Sequence, residues 1–224
     1  PCGLMDQIAC AVGGLVFIDF ADPAAPVVKR TDLHLDGYRL CIIRTGGSHA
    51  DLNEDYASVP AEMKAVAAYF GKSVLREVSE DELITAVPAL RKKLGDRAIL
   101  RALHFMSENK RVEKALAAAK AGDTDAFLAE INASGTSSAI ALQNYFTCKA
   151  PAEQGITLAV TLAREIMGGK GAARVHGGGF AGTAQAFVPE EIFDKFVAAM
   201  EGAFGKGAVV ALEIRNESAT RISD

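Results

Sequence analysis

The sequence predicts an α+β fold in which an antiparallel sheet packs against a layer of helices. Three observations carry that prediction. β-rich and alternating segments fill residues 15–46, helical periodicity runs from 59 to 167, and residues 172–214 read as strand, strand, helix and strand. No internal repeat or low-complexity linker interrupts the order, so one domain is expected.

Each element has its own local signal. Residues 4–12, LMDQIACAV, combine good helix formers with Ala/Ile spacing, and Gly13-Gly14 supplies a left-handed stop. LVFIDF (15–20) is a short β-rich run, VVKRTDLHLD (27–36) alternates over part of its length, and YRLCIIRTG (38–46) is apolar enough to lie inside a sheet. Short turns at Asp22-Pro23 and Asp36-Gly37 join these three, which predicts an antiparallel meander.

The helices follow. VPAEMKAVAAYF (59–70) places Pro60 at a first helical position, with Met63, Val66, Ala67 and Phe70 on one face. SEDELITAVPALRKKL (79–94) opens with the capping-box pair Ser79 and Glu82. The segment 96–121 carries Phe105, Val112 and Leu116 on one stripe. Asp123 caps DAFLAEINASG, which is expected to end on Gly135, and further helices are expected over 137–146 and 152–167. AARV (172–175) and TAQAFV (183–188) then read as strands around a glycine loop. PEEIFDKFVAAM (189–200) is an amphipathic helix with Pro in its first turn, and AVVALEI (208–214) closes as a strand.

Composition narrows the function classes. Half of the 224 residues are hydrophobic, 23% are charged and the formal net charge is -4, with no run of Lys and Arg. That argues against a nucleic-acid-binding surface, and no apolar run is long enough to span a bilayer. The cysteines at 2, 10, 41 and 148 form no CxxC pair and are expected to be reduced, which fits a cytoplasmic protein. Histidines 34, 49, 104 and 176 lack metal-ligand spacing, so no zinc site is expected. Ser48 beside His49 makes no nucleophile pair, because neighbours in an extended loop point apart.

Gly177-x-Gly179-x-x-Gly182 matches the dinucleotide fingerprint GxGxxG. That fingerprint needs a helix after the glycines, whose N-terminus carries the pyrophosphate. Here a strand follows, so a dinucleotide fold is rejected. Three consecutive glycines cost backbone entropy and suit a place where a ligand or another backbone comes very close, with a plain hairpin turn as the alternative. Asp6 can be read as an acid favoured by the helix dipole, and Tyr56, within TGGSHADLNEDYASVP (45–60), as a half-buried phenol.

Taken together and in this order, PCGLMDQ, RTGGSHADLNEDY and RVHGGGFAG resemble the galactokinase branch of the GHMP small-molecule kinases. LRALHFMSENKRVEKALAAAKAGDTDAFLAEINASGTSS is similar to that family's helical segment, and the resemblance covers nearly the whole chain. It implies a GHMP C-terminal domain with ferredoxin-like elements, and transfer of the γ-phosphate of ATP to the anomeric hydroxyl of galactose. Asp6 falls on the aspartate that sits against the attacking sugar hydroxyl, where it accepts the proton or holds the nucleophile in line. Gly3 falls where the backbone meets the sugar, and Tyr56 on a tyrosine that hydrogen-bonds a sugar hydroxyl. Gly177, Gly178, Gly179 and Gly182 match a loop lining the active site. Val175, His176 and Ala181 depart from the family's Met, Thr and Gly, and the stretch before Tyr56 departs as well.

The family's phosphate-cradling G-L-S-S-S-A loop and its sugar-binding G-E-H-T-D-Y segment do not occur in the sequence. The resemblance therefore implies a C-terminal part of such an enzyme, with residues 1–20 the tail end of the N-terminal catalytic domain. The ligands for ATP and Mg²⁺ are expected in the remaining part, no metal ligand within this chain, and the piece alone is expected to be inactive. Two alternatives stand beside galactose phosphorylation. One is another GHMP kinase, acting for example on N-acetylgalactosamine, and the other is a non-catalytic sugar and ATP sensor.

Overall fold

The computed structural model describes residues 4–47 and 52–219. In chain order they form α1 (Met5–Val12), β1 (Leu15–Asp19), β2 (Val27–Thr31), β3 (Tyr38–Arg44), α2 (Asn53–Tyr69), α3 (Glu80–Leu94), α4 (Asp96–Ala121) and α5 (Thr124–Ser137). Then come α6 (Gly155–Met167), β4 (Ala172–His176), β5 (Thr183–Pro189), α7 (Phe193–Phe204) and β6 (Val209–Leu212). The main sheet is antiparallel with order β4-β5-β3-β6, and β1 and β2 form a separate two-stranded hairpin. This is the α+β arrangement that the sequence predicts.

The period-2 alternation of the strands divides the core between two faces. Cys41 pairs across from Ala186, and Ala186 from Ala173, so these residues share one face with Ile43, Val175, Ala184 and Val188. Against that face lie Ile156, Ala159, Val160 and Ala163 of α6 and the fully buried Phe196 and Met200 of α7. Each of those two large side chains contributes about 1.5–3 kcal/mol of burial. Ala172 and Phe187, opposite each other in register, face the other way onto Ala118 and Ala119 of α4 and Phe127 and Leu128 of α5. Helices thus cover both faces of the sheet. A second cluster joins α2, α3 and α4 through Val66, Ala67, Leu83, Leu90, Ile99 and Ala102, with Met63 and Phe70 packed against it.

Several expectations need correction. The first three strands do not form a meander, because β3 leaves the hairpin and pairs with β5 and β6 at the centre of the main sheet. β3 carries the fully buried Cys41 and Ile43, whereas four of the five residues of β2 are exposed. Burial, and not chain adjacency, decides the partner. Pro60 does not start α2, which begins at Asn53 and runs through the proline. The cost there is one intrahelical bond, since Pro60 has no N–H to offer the Tyr56 carbonyl.

Gly135 does not end α5, which continues to Ser137 and into a π-helical turn over Ser138–Leu142. A Cβ on Gly135 would lie 2.8 Å from Arg174 Cβ and 3.1 Å from the Ala173 carbonyl oxygen, so the glycine lets the helix press on β4. The separate helix expected over 137–146 is therefore this turn, stopped by Gln143 at φ 58. Val112 stands 45% exposed, and the buried face of α4 is formed by Ala98, Ile99, Ala102, Met106, Ala118 and Ala119 among others. The helix expected over 189–200 begins with a 3-10 turn at Glu190–Ile192 before α7. The capping box at Ser79 and the 96–121 helix stand as expected.

Candidate active site

The glycine loop is the turn between β4 and β5, so strands flank it on both sides. Gly177, Gly179 and Gly182 lie at φ 72, 83 and 98, and Phe180 takes φ 60, which a non-glycine residue rarely adopts. Such a backbone persists only where its surroundings hold it. Here three elements do so.

From the start of α2, Tyr56 donates its hydroxyl to the Gly179 carbonyl at 2.9 Å. Its ring meets Phe180 edge-on, 5.5 Å between centroids. From the end of β3, Thr45 donates both its backbone N–H (2.9 Å) and its hydroxyl (2.8 Å) to the Gly182 carbonyl. From the segment after the π-helical turn, Asn144 donates its side-chain amide to the Gly178 carbonyl (3.1 Å) and accepts the Phe180 N–H on its backbone oxygen (2.5 Å). The carbonyls of Gly178, Gly179 and Gly182 are thus all bonded to protein. A Cβ at Gly178 would meet Tyr56 Cε1 at 2.8 Å, and one at Gly179 would meet the Asn144 carbonyl oxygen at 2.1 Å. The glycines are needed for this close approach, so the hairpin does more than turn the chain. Burial pushes the Tyr56 phenol pKa up, with the neighbouring Asp55 adding to it, so the hydroxyl stays protonated and remains a donor.

Behind the clamp lies a charged network that sequence reading missed. Arg101 of α4, 1% exposed, bonds Glu62 (2.9 Å) and Ser58 (2.9 Å) of α2 and the Leu142 carbonyl (3.2 Å) of the π-helical turn. Glu62 also pairs with Arg97, and Asp55 accepts from Thr147 at 3.0 Å. Burial pulls the Arg101 guanidinium pKa down while Glu62 opposes that shift. The network ties the helix carrying Tyr56 to the turn that leads into Asn144. Its signal in the sequence was an arginine between the apolar Ile99 and Ala102 of a helix face.

Deeper between α4, α5 and β4, His104 lies within 2.8 Å of the Ser137 hydroxyl, and Glu108 bonds Ser134 (2.6 Å) and Arg111 (2.5 Å). Burial pulls the pKa of His104 down, and that of Arg174 likewise.

Other sequence-predicted positions lie elsewhere. Asp6 is exposed in the first turn of α1 and makes no hydrogen bond or ion pair with the described residues. α1 packs on β1, and the C-terminal segment runs beside it, Ala219 N–H donating to Ala11. The structure therefore brings Tyr56 and the four glycines together without joining Asp6 to them. Gly3 lies outside the described residues, as do Ser48 and His49. His176 is exposed at the loop edge, 3.1 Å from the Gln185 side chain. An apolar groove of about 480 Å³, lined by Phe17, Phe20, Pro60, Met63 and Phe105 among others, lies between the β1–β2 hairpin and the α2–α4 bundle and includes no residue of the glycine loop. Among the described residues, no group of three or more His, Cys, Asp or Glu could hold a metal ion, and no helix is long and apolar enough to cross a membrane.

No family model matches the chain. The galactokinase of Streptomyces coelicolor is 31% identical over 216 residues, covering 94% of this chain and 52% of the relative. That of Glaesserella parasuis is 32% identical over 190 residues, covering 85% and 47%. The chain thus spans about half the length of the relatives it matches. Among solved structures, Lactococcus lactis galactokinase complexed with galactose superposes with a TM-score of 0.77 at 23% identity, covering 98% of this chain and 56% of that one. The L. major mevalonate kinase complex with R-mevalonate gives 0.58 at 14% identity, over 98% of this chain and 54% of that one. These two show the shared fold. By sequence relation and fold, the chain belongs to the galactokinase family of GHMP small-molecule kinases and corresponds to its C-terminal portion.

Proposed function

We propose that the chain is the C-terminal part of a cytoplasmic sugar 1-kinase that transfers the γ-phosphate of ATP to the anomeric hydroxyl of galactose. The observation that carries this reading is the Tyr56–glycine-loop unit, built from two of the three motifs that resemble galactokinases and joined by the Tyr56–Gly179 hydrogen bond and the close approach of the glycines. Phosphoryl transfer depends mainly on positioning and electrostatics, which such a pre-set loop serves. In this reading the loop lines the sugar site, Tyr56 faces a sugar hydroxyl, the backbone at Gly3 meets the sugar, and Asp6 accepts the proton of the attacking hydroxyl or holds it in line.

The described residues offer no acidic cluster suited to Mg²⁺. On the family resemblance, the metal and the nucleotide phosphates are assigned to the part of the relatives' length that this chain does not span. We further infer that residues 1–20 belong with that part. Among the described residues, α1 buries none of its side chains, Leu4 and Met5 are 51% and 59% exposed, and β1 pairs only with β2 in a sheet of its own. The 224-residue chain alone is then expected to turn over no substrate and to bind Mg-ATP weakly or not at all, which isothermal titration checks. A coupled ADP-release assay on the complete protein with a panel of sugars tests the function. Galactose-dependent ADP release supports it, strong preference for N-acetylgalactosamine or another acceptor redirects it within the GHMP kinases, and no release with any acceptor favours a sensor.

A further inference from the structure

We propose that Asn144 is a positioning residue for the glycine loop, acting on catalysis through Gly178 and Phe180 and not through the stability of the fold. The proposal rests on the sugar-kinase reading above for its catalytic consequence, and on the loop geometry alone for its structural one.

Asn144 reaches the loop from below with two different groups. Its side-chain amide donates to the Gly178 carbonyl at 3.1 Å, and its backbone oxygen accepts from the Phe180 N–H at 2.5 Å. The residue between them, Gly179, is bonded from the opposite side by Tyr56. Two successive peptide units are thus gripped, 178–179 at its carbonyl and 179–180 at both its carbonyl and its N–H. Gln143, in the left-handed region at φ 58, redirects the chain after the π-helical turn and delivers Asn144 to this position.

A second observation separates positioning from plain support. Asn144 is 3% exposed, and its side-chain oxygen is enclosed with no hydrogen-bond partner among the described residues. Pointing the amide N–H₂ at Gly178 turns that oxygen into a place where nothing bonds it. A buried amide with an unsatisfied acceptor is a poor choice for stability, because the lost solvation of the oxygen is not returned. Local rules broken in this way concentrate at functional sites. The amide therefore serves the loop at the expense of its own satisfaction.

The test uses the complete protein with Asn144→Ala and Asn144→Asp, read by hydrogen exchange over 177–182, thermal midpoint and sugar-dependent turnover. Asn144→Ala is expected to accelerate loop exchange and lower kcat/KM for the sugar by about tenfold or more, with a thermal midpoint close to wild type. Asn144→Asp carries a carboxylate that cannot donate to Gly178, but regains a donor when protonated. Its turnover relative to wild type should rise as pH falls, a signature that a packing defect does not give. Unchanged loop exchange in Asn144→Ala overturns the proposal. So does acceleration spread evenly over the chain with midpoint and turnover falling together. If the wild type shows no sugar-dependent turnover, the kinase reading fails, and exchange at 177–182 still decides the role of Asn144.

Discussion

The Tyr56 hydroxyl donates to the Gly179 carbonyl at 2.9 Å, joining segments 123 positions apart in the chain. The same ring closes over Gly178 and meets Phe180 edge-on. One side chain thus fixes three consecutive loop residues, and the consequences for substitution are graded.

Tyr56→Phe keeps the ring contacts and loses the hydrogen bond to the Gly179 carbonyl, for which the expected cost is about 1 kcal/mol. Gly179→Ala puts a methyl 2.1 Å from the Asn144 carbonyl oxygen at φ 83, with an expected loss above about 2 kcal/mol. Gly178→Ala, whose methyl meets the Tyr56 ring at 2.8 Å, should fall between them. Urea unfolding midpoints check the order.

Arg101 and Glu62 give an asymmetric pair of variants. Glu62→Gln leaves the buried Arg101 guanidinium without its counter-charge, at an expected cost of about 3 kcal/mol. Arg101→Met removes the buried charge itself, and Glu62 keeps Arg97 as partner, so the loss should be smaller. Thermal denaturation of the two variants under one buffer tests the inequality.

Stability should depend on pH through His104. Burial holds its imidazole below the ordinary pKa of about 6.5, with Glu108 opposing the shift and Arg111 and Arg174 adding to it. The unfolded chain therefore takes up a proton in a range where the folded one does not. The contribution is fully present above about pH 6.5 and is lost as pH falls from there through the folded pKa. His104→Gln should flatten this part of the stability curve, measured as unfolding free energy on either side of it.

Cys41 should resist alkylation. Burial in the sheet core pushes its thiol up to about 12, so almost no thiolate exists at pH 8. Cys10 and Cys148 are exposed. Mass-spectrometric mapping of the native protein after iodoacetamide should find both of these modified and Cys41 untouched until unfolding.

Local signals were legible in the sequence wherever a few neighbouring residues decide the outcome. Ser79 and Glu82 form the capping box, Asp123 caps α5 through the Ala126 N–H, and the strand after Gly182 excludes a dinucleotide loop. What escaped was long-range. Gly135 has the local look of a helix stop, yet its role is set by Arg174, far along the chain on β4. Pro60 looks like a helix start, but tertiary packing of Val66 and Ala67 carries α2 through it. Asn144 sits among residues with no motif, and only the folded loop shows what it holds.

Phosphoryl transfer to galactose is tested most directly by ADP release from the complete protein with galactose, Mg²⁺ and ATP, in wild type and Asp6→Asn. Galactose-dependent turnover is expected in the wild type and a drop of roughly 10²–10⁴-fold in the variant, with the fold unchanged by circular dichroism. Near-wild-type turnover in Asp6→Asn, or no galactose-dependent release in the wild type, would contradict this expectation.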